Sequence, residues 1–343
     1  MPTSHHHCVR QLATFVLCIA AAIGAAGCGT GNSNPAGTSA AQNPIALRAQ
    51  IQKLKGFSTV NEESPEQSLF SINLGGTRLT DSEMACLQGA AGLRELHLFG
   101  TTITDQGLAH LAGLTSLRIL NLSDTQITDA GLAHLAGLTE LRLLNLSHTR
   151  ITDAGLQQLR GLTALQTLNL RGTSVAGDGL SHLVGMSELQ ELWLSETKVG
   201  DAGLAHVEGF TKLRILDLAD TQVTDSGLVH FQGMSELQDL WFGNTQVSDA
   251  GLEHVVGLVT LLRLRLNHTK VAGDGLAHLK GMSELKELDL RSTNIDDDDL
   301  VHMHVLKKLQ VLEVGETQVT AGGARKLNKI LTSCFIPPFT SLD

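Results

Sequence analysis

A single spacing governs most of this chain: from Leu69 onward, similar segments recur every 24 residues without an insertion. A leucine opens each later segment, at Leu93, Leu117, Leu141, Leu165, Leu189, Leu213, Leu237, Leu261, Leu285 and Leu309. A segment of this length is one supersecondary unit, which cannot enclose a core alone and must stack on its neighbours. A chain of 343 residues would ordinarily form about two or three domains. Because of the repeats, we expect one continuous repeat array instead.

Each unit combines a strand pattern with a helix pattern. In residues 117–140, LRILNLSDTQITDAGLAHLAGLTE, Leu120 and Leu122 alternate with outward positions, which predicts a strand. Thr128 and Asp129 are typical of a helix start, and a glycine ends the short helix that follows. Stacked units then give a long parallel sheet on one side and short helices on the other, with aliphatic side chains between them.

The pattern LxxLxLxxTxITDxGLxHLxGLTx resembles the leucine-rich-repeat family, and its TDxGL units resemble bacterial members, over residues 69 to about 330. The resemblance implies an α/β solenoid: a right-handed horseshoe of about eleven 24-residue repeats with a parallel concave sheet and short convex helices. It also implies a binding role, because such repeats usually present an extended concave surface to partners. The shared motif is scaffold, so it says little about which partner is bound.

The N-terminus reads as an export signal. Residues 1–27 predict a lipoprotein-type signal peptide, because the apolar run from Leu12 to Ile23 is shorter than the about 20 residues of a spanning helix and has the length of a signal core. The sequence AAGC that ends at Cys28 resembles a bacterial lipobox, which implies lipidation of Cys28. We predict an exported protein of the cell envelope, membrane-anchored through Cys28 in the periplasm or at the cell surface. Secretion without lipid and a retained N-terminal anchor are alternatives.

The mature chain is predicted to divide into four parts. Gly, Ser, Asn, Ala and Pro without apolar periodicity predict a flexible tether after Cys28. Apolar residues within Ile45–Phe57 then predict a short amphipathic helix that closes the first end of the array. The predicted tether, N-terminal cap, repeat domain and tail are residues 28–44, 45–68, 69–332 and 333–343.

Composition limits the class of partner. The formal net charge of −10 argues against nucleic acid, which requires a basic face. Of the five cysteines, Cys8 and Cys18 lie in the signal and Cys28 is the lipidation candidate. Cys86 and Cys334 remain, and we expect them at opposite ends of the array, beyond the about 7 Å between Cα atoms that a disulfide allows.

Three columns of identical residues are interpreted as scaffold. A Thr hydroxyl in every unit is expected to bond to the backbone of a turn, and an Asp at each helix start is expected to cap amides. The His column should lie half-exposed on the helices. A calcium ladder of these aspartates, the acidic run Asp296–Asp299 and a metal on the histidines are the alternatives, and no metal or cofactor is predicted. The Asp column is Asp81, Asp105, Asp129, Asp153, Asp201, Asp225, Asp249 and Asp297. The His column is His110, His134, His182, His206, His230, His254, His278 and His302.

Function is expected where the repeat pattern varies, at the outward third, fifth and seventh positions of each strand. Both tryptophans of the chain, Trp193 and Trp241, occupy the fifth position two units apart, which predicts a separation of about 10 Å across Asp217. Tryptophans among charged residues are typical of interface hot spots and also suit a peptide or a sugar. The predicted ligand-binding residues are Trp193, Asp217, Trp241, Arg265, Glu191, Asp239 and Arg263.

Two other interpretations of the outward positions stay open. The segments GMSELQELWL and GMSELQDLWF are near copies 48 residues apart, so a duplication could have produced the second tryptophan without selection for binding. A second candidate patch consists of Ile119, Leu143 and Ile215, apolar residues at nominally exposed third positions, which either form an interface or pack against neighbouring strands.

The predicted function is a non-enzymatic binding module of the cell envelope that recognises a protein, a peptide or a glycan on the concave face. One alternative is an adaptor subunit, because the TDxGL units are similar to those of F-box leucine-rich-repeat proteins of ubiquitin ligases. Residues 45–68 are too short for the helical domain of those adaptors, and an export signal contradicts intracellular work. An envelope hydrolase is the second alternative, but the sequence contains no nucleophile elbow, phosphate loop, HExxH helix or CxxC pair.

Overall fold

The computed structural model describes residues 44–60 and 69–337, which form one open sheet with short helices between its strands. The predicted signal peptide, Cys28 and all of the tether except Pro44 lie outside the described residues. Within residues 44–60 and 69–337, no helix combines the length and hydropathy that crossing a bilayer requires.

The sheet of the described part has twelve strands in sequence order. Strand β1 pairs antiparallel with β2, and every later pair is parallel with a register offset of one repeat. The strands are β1 Phe57–Val60, β2 Leu69–Asn73, β3 Glu95–His97, β4 Ile119–Asn121, β5 Leu143–Asn145, β6 Thr167–Asn169, β7 Glu191–Trp193, β8 Ile215–Asp217, β9 Asp239–Trp241, β10 Arg263–Arg265, β11 Glu287–Asp289 and β12 Val311–Glu313.

The segments between strands are tighter than the predicted short helix. Five units contain one α-helical turn followed by a 3-10 turn, and four are 3-10 throughout, as is common in short connectors. The α-helices of the described residues are α1 Pro44–Lys53, α2 Asp105–Leu108, α3 Asp129–Leu132, α4 Asp153–Leu156, α5 Asp201–Leu204, α6 Asp249–Leu252, α7 Gly273–Leu276 and α8 Ala321–Asn328. The 3-10 segments are Glu83–Leu87, Ala109–Leu111, Ala133–Leu135, Gln157–Leu159, Asp178–Leu183, Asp225–Phe231, Glu253–Val255, Ala277–Gly281 and Asp299–Val305.

One continuous core runs through the repeats between the sheet and the helices. The first, fourth and sixth positions of the strand pattern point into it, and Leu141, Leu144 and Leu146 are fully buried examples. Phe231 and Phe242 stack in its middle with ring centroids 5.8 Å apart. Sequence periodicity therefore predicted the architecture correctly: the parallel sheet and intervening short helices of a leucine-rich-repeat solenoid are confirmed.

Helix α1 and strand β1 cover the first end of this core. Leu47 and Ile51 of α1 are buried, whereas Ile45 is 76% exposed. The helix ends at Lys53 rather than continuing to Phe57, because Lys55 adopts a positive φ of 61°. A Cβ on Gly56 would lie 2.5 Å from a methyl carbon of Leu74, so only glycine lets the chain turn here into β1. Strand β1 was not predicted from the sequence.

The Thr column has the predicted role in every unit. Each hydroxyl donates to the carbonyl oxygen three residues earlier, at 2.5–2.7 Å. These bonds close the turn after each strand, and most of the threonines are buried. The column is Thr77, Thr101, Thr125, Thr149, Thr173, Thr197, Thr221, Thr245, Thr269, Thr293 and Thr317.

The Asp column acts between units, and the prediction that it caps its own helix was wrong. Thr128 caps α3 by accepting from the Ala130 amide, and Asp129 is the first helical residue. The Asp129 carboxylate instead accepts from the amide and the hydroxyl of Thr152 in the next unit, at 2.8 and 2.6 Å. We call these bonds the Asp–Thr ladder. Its side-chain links are Asp81–Thr104, Asp105–Thr128, Asp129–Thr152, Asp201–Thr224, Asp225–Ser248 and Asp297–Thr320.

The ladder explains the glycine of the TDxGL motif. A Cβ on Gly107 would lie 2.5 Å from Oδ1 of Asp81, the ladder carboxylate of the preceding unit. The converse occurs where Asp299 replaces this glycine, because the preceding unit has Gly273 in place of its ladder aspartate. Gly177 occupies the ladder position in one other unit, so the links to the units that follow Gly177 and Gly273 cannot form.

The His column and the two cysteines of the described residues show no metal site and no disulfide. The histidines of the column are half-buried or exposed, as predicted, and His230 pairs with Glu208. Within residues 44–60 and 69–337, no three His, Cys, Asp or Glu side chains cluster as metal ligands. Cys86 and Cys334 are both buried free thiols. Burial raises the pKa of each thiol, that of Cys334 to about 11.

Candidate binding surface on the sheet

The predicted ligand-binding residues lie together on four neighbouring strands. We call the side of β7 to β10 that faces away from the core the open face. Register places the fifth-position residues in one row, since Trp193 pairs with Asp217, Asp217 with Trp241, and Trp241 with Arg265. The third-position row beside it is Glu191, Ile215, Asp239 and Arg263.

The two tryptophan rings are in contact, although about 10 Å was predicted between them. Their centroids are 5.0 Å apart and their planes make an angle of 71°, an edge-to-face arrangement. Two strand spacings separate the backbones, but the side chains lean towards each other across β8. Such aromatic pairs add about 0.5–1.5 kcal/mol beyond the area they bury. The pair is a single preorganised apolar platform.

Asp217 lies on the strand between the two tryptophans and is only 3% exposed. Burial raises the pKa of its carboxyl to about 6, against the opposing effects of the Ala219 amide, the Ser195 hydroxyl and the charges of Arg171 and Arg265. The Ala219 amide donates to Oδ1 at 3.0 Å. The alternating strand pattern places this position outward and so did not reveal the burial, which Asn145 and Asn169 share at the equivalent positions.

The fifth position has a structural role that the sequence analysis missed. In six units, its side-chain oxygen accepts from the backbone amide two residues further on and so closes the end of the strand. The recurrence of asparagine in this column was the available signal. The residues are Asn73, Asn121, Asn145, Asn169, Asp217 and Asp289. Since a neutral asparagine suffices four times, the turn does not require the charge of Asp217.

Two arginines on β10 flank the tryptophan platform. The guanidinium carbon of Arg265 lies 4.3 Å from the ring centroid of Trp241, within range for a cation–π contact. Arg263 donates to Oδ2 of Asp239 at 2.5 Å. Asp239 is 2% exposed, and its Oδ1 has no hydrogen-bond partner among the described residues. Burial raises the pKa of Asp239, and the neighbouring Arg263 opposes that shift.

Glu191 is the third carboxylate of the surface and is half-buried. Burial raises the pKa of its carboxyl, the side chains of Trp193 and Thr167 lower it, and the negative charge of Asp239 raises it further. The two acids of the third-position row therefore interact unfavourably across Ile215.

The second predicted patch does not form a continuous exposed surface. Ile119 and Leu143 are each 7% exposed, so they pack against their neighbours rather than face solvent. Ile215 is half-buried and lies between Glu191 and Asp239 in the sheet register. It belongs with the open face, a placement that the sequence analysis did not make.

Comparison with known families finds repeats of the same kind. One leucine-rich-repeat model matches residues 115–175, and a second matches residues 93–112, 211–231 and 283–301. No curated protein sequence matches the chain.

Several solved structures share the fold at low sequence identity. An internalin from Listeria monocytogenes is 20% identical with a TM-score of 0.56, and the match covers 87% of this chain and 94% of the internalin. The ectodomain of the Arabidopsis receptor kinase HAESA, solved with a peptide hormone, is 15% identical with a TM-score of 0.63, over 89% of this chain and 54% of that one. Mouse RP105, solved with MD-1, is 20% identical with a TM-score of 0.59, over 72% and 43%.

At these identities the likeness concerns the fold. The 24-residue repeats, the parallel sheet that they build and the two family matches together show that the chain is built of leucine-rich repeats.

Proposed function

We propose that the chain is a non-enzymatic binding module that holds a protein or peptide partner against the open face. The observation that carries the proposal is the edge-to-face pair of Trp193 and Trp241, extended by the guanidinium of Arg265. Aromatic residues and arginine dominate the energetics of protein interfaces, and a fixed pair loses little conformational entropy on binding. Structural relatives that were solved with a peptide hormone or a protein partner support the same class of function.

The carboxylates of the surface favour binding over hydrolysis. Of its three carboxylates, Asp217 is bonded to the turn of its own strand and Asp239 to Arg263. Acid–base catalysis requires a carboxyl that reaches a proton of the substrate, whereas these side chains hold the surface together. We expect no hydrolysis of peptides or polysaccharides by the purified protein that is sensitive to Asp217→Asn.

Loss of the tryptophan pair should abolish partner binding. Peptides would be selected on the native chain from a displayed random library, and their affinities measured for native protein and for the double variant Trp193→Ala, Trp241→Ala. We expect the variant to bind at least about 100-fold more weakly, because two hot-spot side chains cost about 2 kcal/mol or more each.

The matched control removes apolar area elsewhere. Val256 and Val259 are exposed residues outside the strands, and Val256→Ala with Val259→Ala should leave peptide affinity unchanged. Equal binding by native protein and tryptophan variant, with unchanged circular dichroism, would move recognition away from this surface and favour the duplication origin of the second tryptophan.

We propose further that the module is exported and anchored in the cell envelope through a lipid on Cys28. The support is the apolar run before the AAGC sequence. In a lipidating bacterial host fed labelled palmitate, the native chain should incorporate label and Cys28→Ala should not. Cys18→Ala, which changes a cysteine within the predicted signal, is the control that should retain label. Label on the Cys28→Ala protein would contradict the anchor.

A further inference from the structure

Three neighbouring side chains of the open face lie in the row beside the tryptophan platform. Ile215 occupies their centre and pairs in register with Glu191 on one side and with Asp239 on the other. At about 4.8 Å per strand, the backbones of the two acids are about 10 Å apart. Trp193 and Trp241 lie in the adjacent row and contact each other.

The hydrogen bonding of the carboxylates in this arrangement is incomplete. Asp239 has one oxygen bonded to Arg263, while its buried Oδ1 has no hydrogen-bond donor in the described part of the chain. A buried carboxylate oxygen without a donor is unfavourable, because no hydrogen bond compensates its loss of hydration. Glu191 is half-buried and feels the negative charge of Asp239. A positive group between the two acids would relieve both conditions.

We propose that the open face takes a lysine or arginine side chain of the partner, with its aliphatic stem on Ile215 and its cationic head between Glu191 and Asp239. The inference rests on the proposed function and names the chemistry of the bound partner. Long basic side chains combine an apolar stem with a charged head, which matches an isoleucine floor between two acids. Hydrogen bonds between cationic donors and carboxylates are about twice as strong as neutral ones.

The surroundings favour a cation over an anion. An acidic ligand group here would face Glu191, Asp217 and Asp239, and like charges brought together at an interface repel each other. The guanidinium of Arg265 lies over Trp241, and that of Arg263 is bonded to Asp239. The formal net charge of −10 also attracts basic partners from a distance.

The test uses three blocked tripeptides of the form glycine-X-glycine, in which X is lysine, norleucine or glutamate. Norleucine retains the aliphatic stem and lacks the ammonium group. Binding to the full chain is followed by tryptophan fluorescence, because the only two tryptophans of the chain lie in the row beside these three side chains. We expect the lysine peptide to bind at least about tenfold more tightly than the norleucine peptide, a difference of about 1.4 kcal/mol, and the glutamate peptide not to bind.

Variants then assign the selectivity. Glu191→Gln and Asp239→Asn should each weaken the lysine peptide about fivefold or more, while leaving the norleucine peptide unchanged. Glu191→Gln does not touch the Asp239–Arg263 pair, so it keeps the test valid if Asp239→Asn fails to fold. Glu95→Gln is the control, because Glu95 occupies the same third position on β3, away from the tryptophans.

Each other result overturns the inference. Equal affinities for the lysine and norleucine peptides, stronger binding of the glutamate peptide, no fluorescence change with any tripeptide, or equal loss in Glu95→Gln would all do so. These outcomes are distinct from failure of the proposed function, which is judged by selected peptides that do or do not require Trp193 and Trp241.

Discussion

Gly155→Ala is expected to lower the free energy of unfolding by about 2–4 kcal/mol. A Cβ at this position would overlap Oδ1 of Asp129 and lie 3.1 Å from a methyl carbon of Leu132. The carboxylate would have to leave the amide and hydroxyl of Thr152, which it binds in the Asp–Thr ladder. The expected loss combines the overlap, about 1–3 kcal/mol, with a partly buried amide that loses its acceptor, about 1–3 kcal/mol. Urea unfolding measures it.

Two comparisons make this prediction specific. Gly161→Ala, six residues later in the same unit, should change stability by less than about 0.5 kcal/mol, because its nearest neighbour would be the Ala136 carbonyl oxygen at 3.9 Å. The double variant Asp129→Ala, Gly155→Ala should be no less stable than Asp129→Ala alone, since the overlap is then removed. The chain already contains such a combination, because Asp299 replaces the motif glycine in the unit after the one in which Gly273 replaces the ladder aspartate. Strictly additive losses in the double variant would contradict the ladder explanation.

Asp217→Asn is expected to stabilise the protein by about 3 kcal/mol at pH 8 and by little at pH 4. The folded-state pKa of Asp217 is about 6, above its ordinary value of 3.8, so the folded protein holds this proton more tightly than the unfolded chain does. Ionisation therefore opposes folding: the cost is absent below pH about 3.8, grows as the pH rises, and is complete above pH about 6. About 1.4 kcal/mol per pKa unit gives the magnitude.

The substitution retains the turn, because Asn145 and Asn169 accept the equivalent amide bond in their own units. The measurement is the difference in unfolding free energy between native and variant protein across pH 4–8, which cancels the titration of all other groups. Asn169→Asp, which would place a new carboxylate at the equivalent position, should show the reverse change as the pH rises. A difference that does not vary with pH would show that Asp217 is ionised in folded and unfolded chains alike.

The regular part of the fold follows from the sequence because the 24-residue period leaves few alternatives. Leu120 and Leu122 must face one side of a strand, and identical units must stack in register. The same logic correctly placed the seven predicted surface residues on four adjacent strands. Features that depend on contacts between units were harder to predict from the sequence. The bond from Asp129 to Thr152 and the meeting of the two indoles depend on side-chain directions that the period does not determine.

The segments outside the repeat pattern were the hardest to predict from the sequence. Strand β1 pairs antiparallel with β2 at the end of a parallel sheet, and the turn before it depends on Gly56 and on the positive φ of Lys55. Neither residue is part of the repeat pattern. The burial of Asp217 was missed for a different reason. Its fifth position is outward in the strand pattern, which does not reveal that Asn145, Asn169 and Asp217 are all buried there.

The absence of a ladder aspartate at Gly177 and Gly273 divides the array into segments of unequal coupling. In a stacked array, stability is a sum of unit terms and nearest-neighbour terms, so partial unfolding begins and ends at the weakest junctions. These junctions lie just before Leu189 and just before Leu285. The four units between them contain the whole of β7 to β10. We therefore expect the tryptophan platform and its acidic neighbours to lie within one cooperative block.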